Sequence, residues 1–171
     1  EGAVPLLIAV LEDLEQEPMV RHEAAEALGA IASPDAIKVL EKYLNDPVIE
    51  VAETCHLALE RLKWLKSPER TANLSENPYH SVDPAPPATT TDLVALETTL
   101  LDETTDLFHR YRAMFSLRNL RTKDAALALG AALKRGSALF RHEVAFVLGQ
   151  LQDSSTVQQL KESLEDDAEN E

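Results

Sequence analysis

The chain has 171 residues, with 16 Lys and Arg against 30 Asp and Glu, for a formal net charge of −14. That length gives one compact domain or two small ones. The acidic balance argues against a nucleic-acid partner, whose phosphates it would repel, and favours a cationic one. Hydrophobic residues make up 44% and aromatics only 5%, the composition of a folded, helix-forming chain rather than of an acidic disordered tail.

The longest apolar run, Ala3 to Leu11, is too short to cross a bilayer, so no membrane partner is expected. No basic n-region of a signal peptide precedes it, and the missing initiator Met points to an internal fragment. Cys55 is the only cysteine, which excludes a disulfide framework and a Cys-based metal site, and a cytoplasmic setting is expected. The five glycines fall in neither GxGxxG nor GxxxxGK[ST] spacing, so the usual nucleotide loops are absent.

In chain order, helical spacing of apolar residues predicts partner helices at Pro5 to Leu14, Asp35 to Asn45, Asp92 to Leu101, Asp124 to Lys134 and Ser155 to Leu164. Ser33-Pro34-Asp35, Asn45-Asp46-Pro47 and Asp153-Ser154-Ser155 supply stops and N-caps between elements. The alternating helices repeat. Val20-Arg-His-Glu-Ala-Ala-Glu-Ala-Leu-Gly-Ala-Ile31 returns as Phe140-Arg-His-Glu-Val-Ala-Phe-Val-Leu-Gly-Gln-Leu151. Degenerate copies begin at Val51, which follows Val20 by 31 residues, and at Tyr111, which precedes His142 by 31. A period of that length in a helical pattern predicts an all-α fold of HEAT-like helix pairs, a solenoid in two blocks. Ser67 to Thr91 carries Pro68, Pro78, Pro84, Pro86 and Pro87 among Ser, Thr and Asn and reads as an extended linker. The expected organisation is therefore a block over 1–66, a Pro-rich linker over 67–91 and a block over 92–171, with a fraying acidic tail from Glu165 to Glu171.

At about 100° per residue, Val20, Ala24, Ala27, Leu28 and Ile31 lie within about 60° of the point opposite His22 and form the predicted apolar stripe. His22, Glu23, Glu26 and Gly29 face away from it, and His142, Glu143, Phe146 and Gly149 do the same in the second copy. Two solvated polar pairs and a metal site both remain open at this point. The matched phase of the copies favours a role, as does a glycine bared on the same face, where a helix interior loses about 1 kcal/mol against Ala. Adjacent His and Glu diverge by about 100°, so one helix is not expected to clamp one ion with both. Imidazole plus carboxylate suits iron, manganese or zinc. Two such pairs give enough donors for one weak site and about half of what a binuclear site takes. Cys55 falls on the core stripe of its repeat, and Met19 and Met114 fit either packing or a substrate entrance.

His-Glu pairs in HEAT-like repeats, on either side of a Pro-rich linker, resemble the deoxyhypusine hydroxylase family. The resemblance runs through Pro18 to Ile31, Asp46 to Cys55, Ser81 to Pro87, Arg110 to Phe115 and Ser137 to Gln152, essentially the whole chain. It implies a non-haem monooxygenase with two Fe(2+) per intact enzyme. Its substrate is the deoxyhypusine side chain of translation initiation factor 5A, which becomes hypusine. It also implies that His22, Glu23, His142 and Glu143 are metal ligands. Glu26, one turn from His22 on the same face, is expected either to support those ligands or to bind the substrate amine. The family has four His-Glu pairs. His22-Glu23 resembles the second and His142-Glu143 the third, while Glu53-Thr54 and Tyr111-Arg112 hold the pair positions in repeats without ligands. With the first and fourth pairs falling outside the chain, this fragment is expected to bind iron weakly or not at all, to be inactive alone, and to self-associate through exposed repeat ends. The alternative is a non-catalytic HEAT-repeat scaffold for protein interaction.

Overall fold

The computed structural model describes residues 2–167 and 169. Among these it is all helical: α1 (Val4–Glu12), α2 (Pro18–Ile31), α3 (Ile37–Lys42), α4 (Ile49–Leu65), α5 (Leu93–Leu101), α6 (Leu107–Leu120), α7 (Lys123–Ala131), α8 (Ala138–Leu151) and α9 (Val157–Leu164). All five predicted partner helices are present. Three of them include a short 3-10 turn: Pro34–Ala36 before α3, Ala132–Lys134 after α7 and Ser154–Thr156 before α9. The helix starts follow the capping chemistry. Asp92 Oδ1 accepts from the Ala95 N–H at 2.8 Å, Asp106 Oδ1 from Phe108 at 3.0 Å and Ser137 Oγ from Phe140 at 3.2 Å. The helix ends α2, α6 and α8 share another device, a left-handed residue: Ala32 (φ 59°), Arg121 (φ 53°) and Gln152 (φ 52°).

The chain forms two compact units. The first holds residues up to Ala72 together with Val82–Ala85, and the second holds Asn73–Ser81 together with the residues from Pro86 onward. In the first, α2 packs on α1 and on α4, and α4 also packs on α3. Leu11, Leu28, Leu40, Val51, Cys55 and Leu62 lie in its core. In the second, α6 packs on α5, α7 and α8, and α7 on α9. There Tyr111 meets Phe115 and Phe140 edge to face, at 6.2 and 5.8 Å between ring centres.

Residues 67–91 carry one 3-10 turn, Pro68–Thr71, and are otherwise irregular. They are held rather than free. Asn119 Nδ2 donates to Ser75 Oγ at 3.1 Å, and the fully buried Arg118 stacks 5.3 Å from the Tyr79 ring centre. In the first unit, Arg61 Nε donates to the Asp83 carbonyl at 3.2 Å. The acidic tail expected to fray runs into Ala168, Asn170 and Glu171, which lie outside the described residues.

Candidate functional site

The sequence places both His-Glu pairs on a face turned from the core, in matching surroundings. The structure corrects both points. On α2, Arg21, His22, Ala24, Ala25, Leu28 and Gly29 are buried, whereas Val20 and Ile31 of the predicted stripe are 44% and 45% exposed. The helix has neighbours on two sides, α1 and α4, so a wheel with a single apolar stripe is the wrong template. Hydrogen bonds make the polar burial tolerable. Arg21 Nε donates to the Leu11 carbonyl at 3.1 Å and its two terminal nitrogens grip the Asp46 carboxylate.

His22 is 2% exposed and points toward α4, where its Nδ1 lies 3.3 Å from Thr54 Oγ1. Glu23, the next residue, keeps 63% of its side chain exposed. The pair on α8 is the reverse: His142 is exposed and Glu143 is 8% exposed. The register of the repeats accounts for the inversion. His22, Ala25 and Gly29 form the side of α2 that meets α4, and the corresponding side of α8, His142 and Gly149, stands open. Glu143 shares its side of α8 with Gln150, whose Oε1 accepts from Arg118 of α6 at 3.0 Å. The first pair therefore packs through its histidine toward the following repeat, whereas in the second the glutamate is buried and the histidine is not.

Neighbouring His and Glu were expected to diverge too far to serve one ion. In α2 they do not: His22 Nε2 and Glu23 Oε1 stand 3.5 Å apart. Two donors each at about 2.0–2.2 Å from a metal can be separated by that much. Glu26 lies one turn further along, half-buried, its carboxyl pushed above the usual range by burial and by the charge of Glu23. Among the described residues no three His, Cys, Asp or Glu side chains stand together as a metal cluster. The glycine expected to bare the helix for a ligand instead admits the next helix: a Cβ on Gly29 would meet Ala58 of α4. Cys55 is fully buried, as its place on the core stripe predicts. Met114 is buried and Met19 is exposed.

Three residues missed by sequence reasoning emerge. Arg21 and Arg110 occupy equivalent helix positions, and each donates through Nε to a carbonyl ten residues earlier, Leu11 at 3.1 Å and Leu100 at 3.0 Å. Their recurrence just before the pair position was visible in the sequence. Thr54, in the glutamate slot of a degenerate repeat, carried no such signal.

Fold and comparisons agree on the class. A model of HEAT repeats matches residues 1–60, and one of the PBS lyase HEAT-like repeat matches residues 110–135 and 140–166; the chain is an all-α HEAT-repeat protein. Within that class it is similar to deoxyhypusine hydroxylases over nearly its whole length, as its motifs implied. It is 58% identical to the deoxyhypusine hydroxylase of Gallus gallus over 99% of this chain and 56% of the relative. With that of Danio rerio the identity is 59%, over 96% and 55%. The solved structure of human deoxyhypusine hydroxylase in complex with glycerol matches with a TM-score of 0.92 at 56% identity, over 99% of this chain and 58% of that one. The chain spans a little over half the length of these relatives. No helix among the described residues is long and apolar enough to cross a membrane.

Proposed function

We propose that this chain is part of a deoxyhypusine hydroxylase, an O₂-dependent enzyme that converts the deoxyhypusine side chain of translation initiation factor 5A to hypusine. One observation carries the reading beyond family likeness: a buried imidazole nitrogen and a carboxylate oxygen on one helix converge to 3.5 Å. That donor set fits iron(II), which accepts imidazole and carboxylate together. His22 and Glu23, with His142 and Glu143, would hold the iron. When bound, iron would activate O₂ for insertion into a C–H bond that protein side chains cannot oxidise unaided.

The chain's own residues do the rest. The buried His22 is kept from swinging by its contact with α4, while Glu23 stays accessible. Glu26 offers a second carboxylate a turn away, held partly out of water, where a cationic amine arm would gain more from the charge than in bulk solvent. The net charge of −14 draws a basic partner toward the protein, an attraction that salt weakens.

With two pairs of ligands, the chain alone is proposed to bind iron weakly and to be inactive, and its exposed repeat ends to self-associate. Elemental analysis for iron and a hydroxylation assay on deoxyhypusine-bearing initiation factor 5A test the reading. The expected result is substoichiometric iron, lowered further by His22→Ala or Glu23→Ala, and no turnover. Full two-iron occupancy with turnover overturns the inactivity, and iron uptake indifferent to all four ligand substitutions overturns the site. Sedimentation as a strict monomer overturns the self-association.

A further inference from the structure

The degenerate repeat of α4 carries Glu53-Thr54 where a ligand pair would stand. Thr54 is buried and lies against His22 of the preceding repeat, with Nδ1 to Oγ1 at 3.3 Å. The same hydroxyl donates to the Glu50 carbonyl one turn back, at 2.7 Å. Threonine has a single hydroxyl proton, and a helical threonine spends it readily on the carbonyl four residues earlier. Once that proton is committed, Oγ1 has only lone pairs to turn toward His22. The contact is then a hydrogen bond only if His22 Nδ1 carries the proton.

We propose that Thr54 is a positioning residue for His22: it fixes the Nδ1–H tautomer and the ring orientation, so that the Nε2 lone pair faces Glu23 and is the nitrogen available to a metal. Neutral imidazole carries one proton on one of two nitrogens, and the partner of the first decides what the second can do. Here the Glu50 carbonyl, the Thr54 hydroxyl and the His22 ring form a chain with one polarity. The other ring nitrogen, Nε2, stands 3.5 Å from the Glu23 carboxylate. A repeat without a His-Glu pair of its own thus serves the pair before it. This inference rests on the metal reading above, but its first half does not need a metal.

The test is ¹⁵N-edited NMR of the imidazoles at a pH above about 8, where histidines are neutral, on the chain, on Thr54→Val and on Thr54→Ser, followed by titration with zinc(II) as a diamagnetic probe. The expected result is an Nδ1–H tautomer for His22 in the parent chain and in Thr54→Ser. In Thr54→Val an Nε2–H population appears and zinc binding at His22 weakens about 10- to 100-fold. An Nε2–H tautomer in the parent chain overturns the proposal, and this measurement decides even if Thr54→Val fails to fold. A folded Thr54→Val with the parent's tautomer and zinc affinity overturns it as well. An Nδ1–H ring whose Nε2 resonance ignores zinc in the parent chain overturns the metal reading instead, which keeps the two failures apart.

Discussion

Gly29 of α2 and Ala58 of α4 meet almost backbone to backbone: a methyl group built on Gly29 would stand 2.8 Å from the Ala58 Cβ and 3.1 Å from its Cα. The corresponding glycine of α8, Gly149, has nothing within 4 Å of such a methyl. The same substitution therefore has opposite signs at two positions with nearly the same local sequence. Gly149→Ala gains helix propensity and should raise stability by about 0.5–1 kcal/mol. Gly29→Ala gains the same propensity but forces two helices apart, which costs about 1–3 kcal/mol, and the net should be a loss of about 1 kcal/mol. Urea unfolding of both variants checks this. Equal effects would show that α2 and α4 are not in such close contact.

This pair also marks where sequence reading stops. The repeat period, the helices, their caps and both His-Glu pairs are legible, because they follow from spacing and from local hydrogen bonding. The burial phase of α2 is not. Apolar periodicity finds the side of a helix that lacks polar atoms, but α2 is enclosed on two sides. Its second contact face is made of Arg21, His22 and Gly29, whose burial depends on Asp46, Thr54 and Ala58, 25 to 32 residues away. The sequence gives no direct view of those partners. A carboxylate at the start of α4 and an arginine ahead of each pair were the available hints.

The Arg21–Asp46 pair should govern acid stability in the first unit. Both side chains are almost fully buried. Burial works to raise the Asp46 pKa, but the bond from Arg21, the Val48 N–H and the guanidinium charge outweigh it and hold the carboxyl below its usual range. A carboxylate lowered in the folded state contributes its stability above the unfolded pKa of about 3.9 and loses it as pH falls through the folded value. Asp46→Asn should therefore cost about 2–3 kcal/mol at pH 7, a difference that shrinks progressively as pH falls below the unfolded pKa and through the lower folded one. Thermal melts of the parent and variant from pH 2 to 7 would show this, and a constant gap across that range would rule it out.

Arg118 should hold residues 73–81 on the second unit. Its guanidinium bonds Asn119 Oδ1 at 3.1 and 3.0 Å and Gln150 Oε1 at 3.0 Å, and it lies over the Phe115 and Tyr79 rings. Arg118→Ala removes all of these and leaves Gln150 and Asn119 short of a partner, an expected loss of about 3 kcal/mol. Limited chymotrypsin digestion should then cut at Tyr79 several-fold faster. An unchanged cleavage rate there would mean that other contacts hold the segment.

Cys55 is fully buried, and desolvation pushes its thiol up to about 12, with the Asp46 charge adding to the rise. Almost no thiolate exists at pH 8, and a reagent cannot reach it. A disulfide reagent should label the native chain only at the rate of its opening, and should label it fully in denaturant. Rapid labelling under native conditions would place Cys55 at a surface.

Three helices, α2, α6 and α8, turn the chain through a left-handed residue, and none of the three is glycine: alanine, arginine and glutamine do the same job. The residue after each one, Ser33, Thr122 or Asp153, accepts a hydrogen bond from a backbone N–H two or three positions on. The corner is thus marked by the acceptor, while the bend itself takes residues as different as alanine, arginine and glutamine, excluding those, such as proline and the β-branched, that cannot adopt a left-handed φ. Evolutionary drift should accordingly be loose at the elbow and tight one step beyond it, so a search for such corners in unfamiliar repeat proteins should look for short oxygen-bearing side chains rather than for glycines.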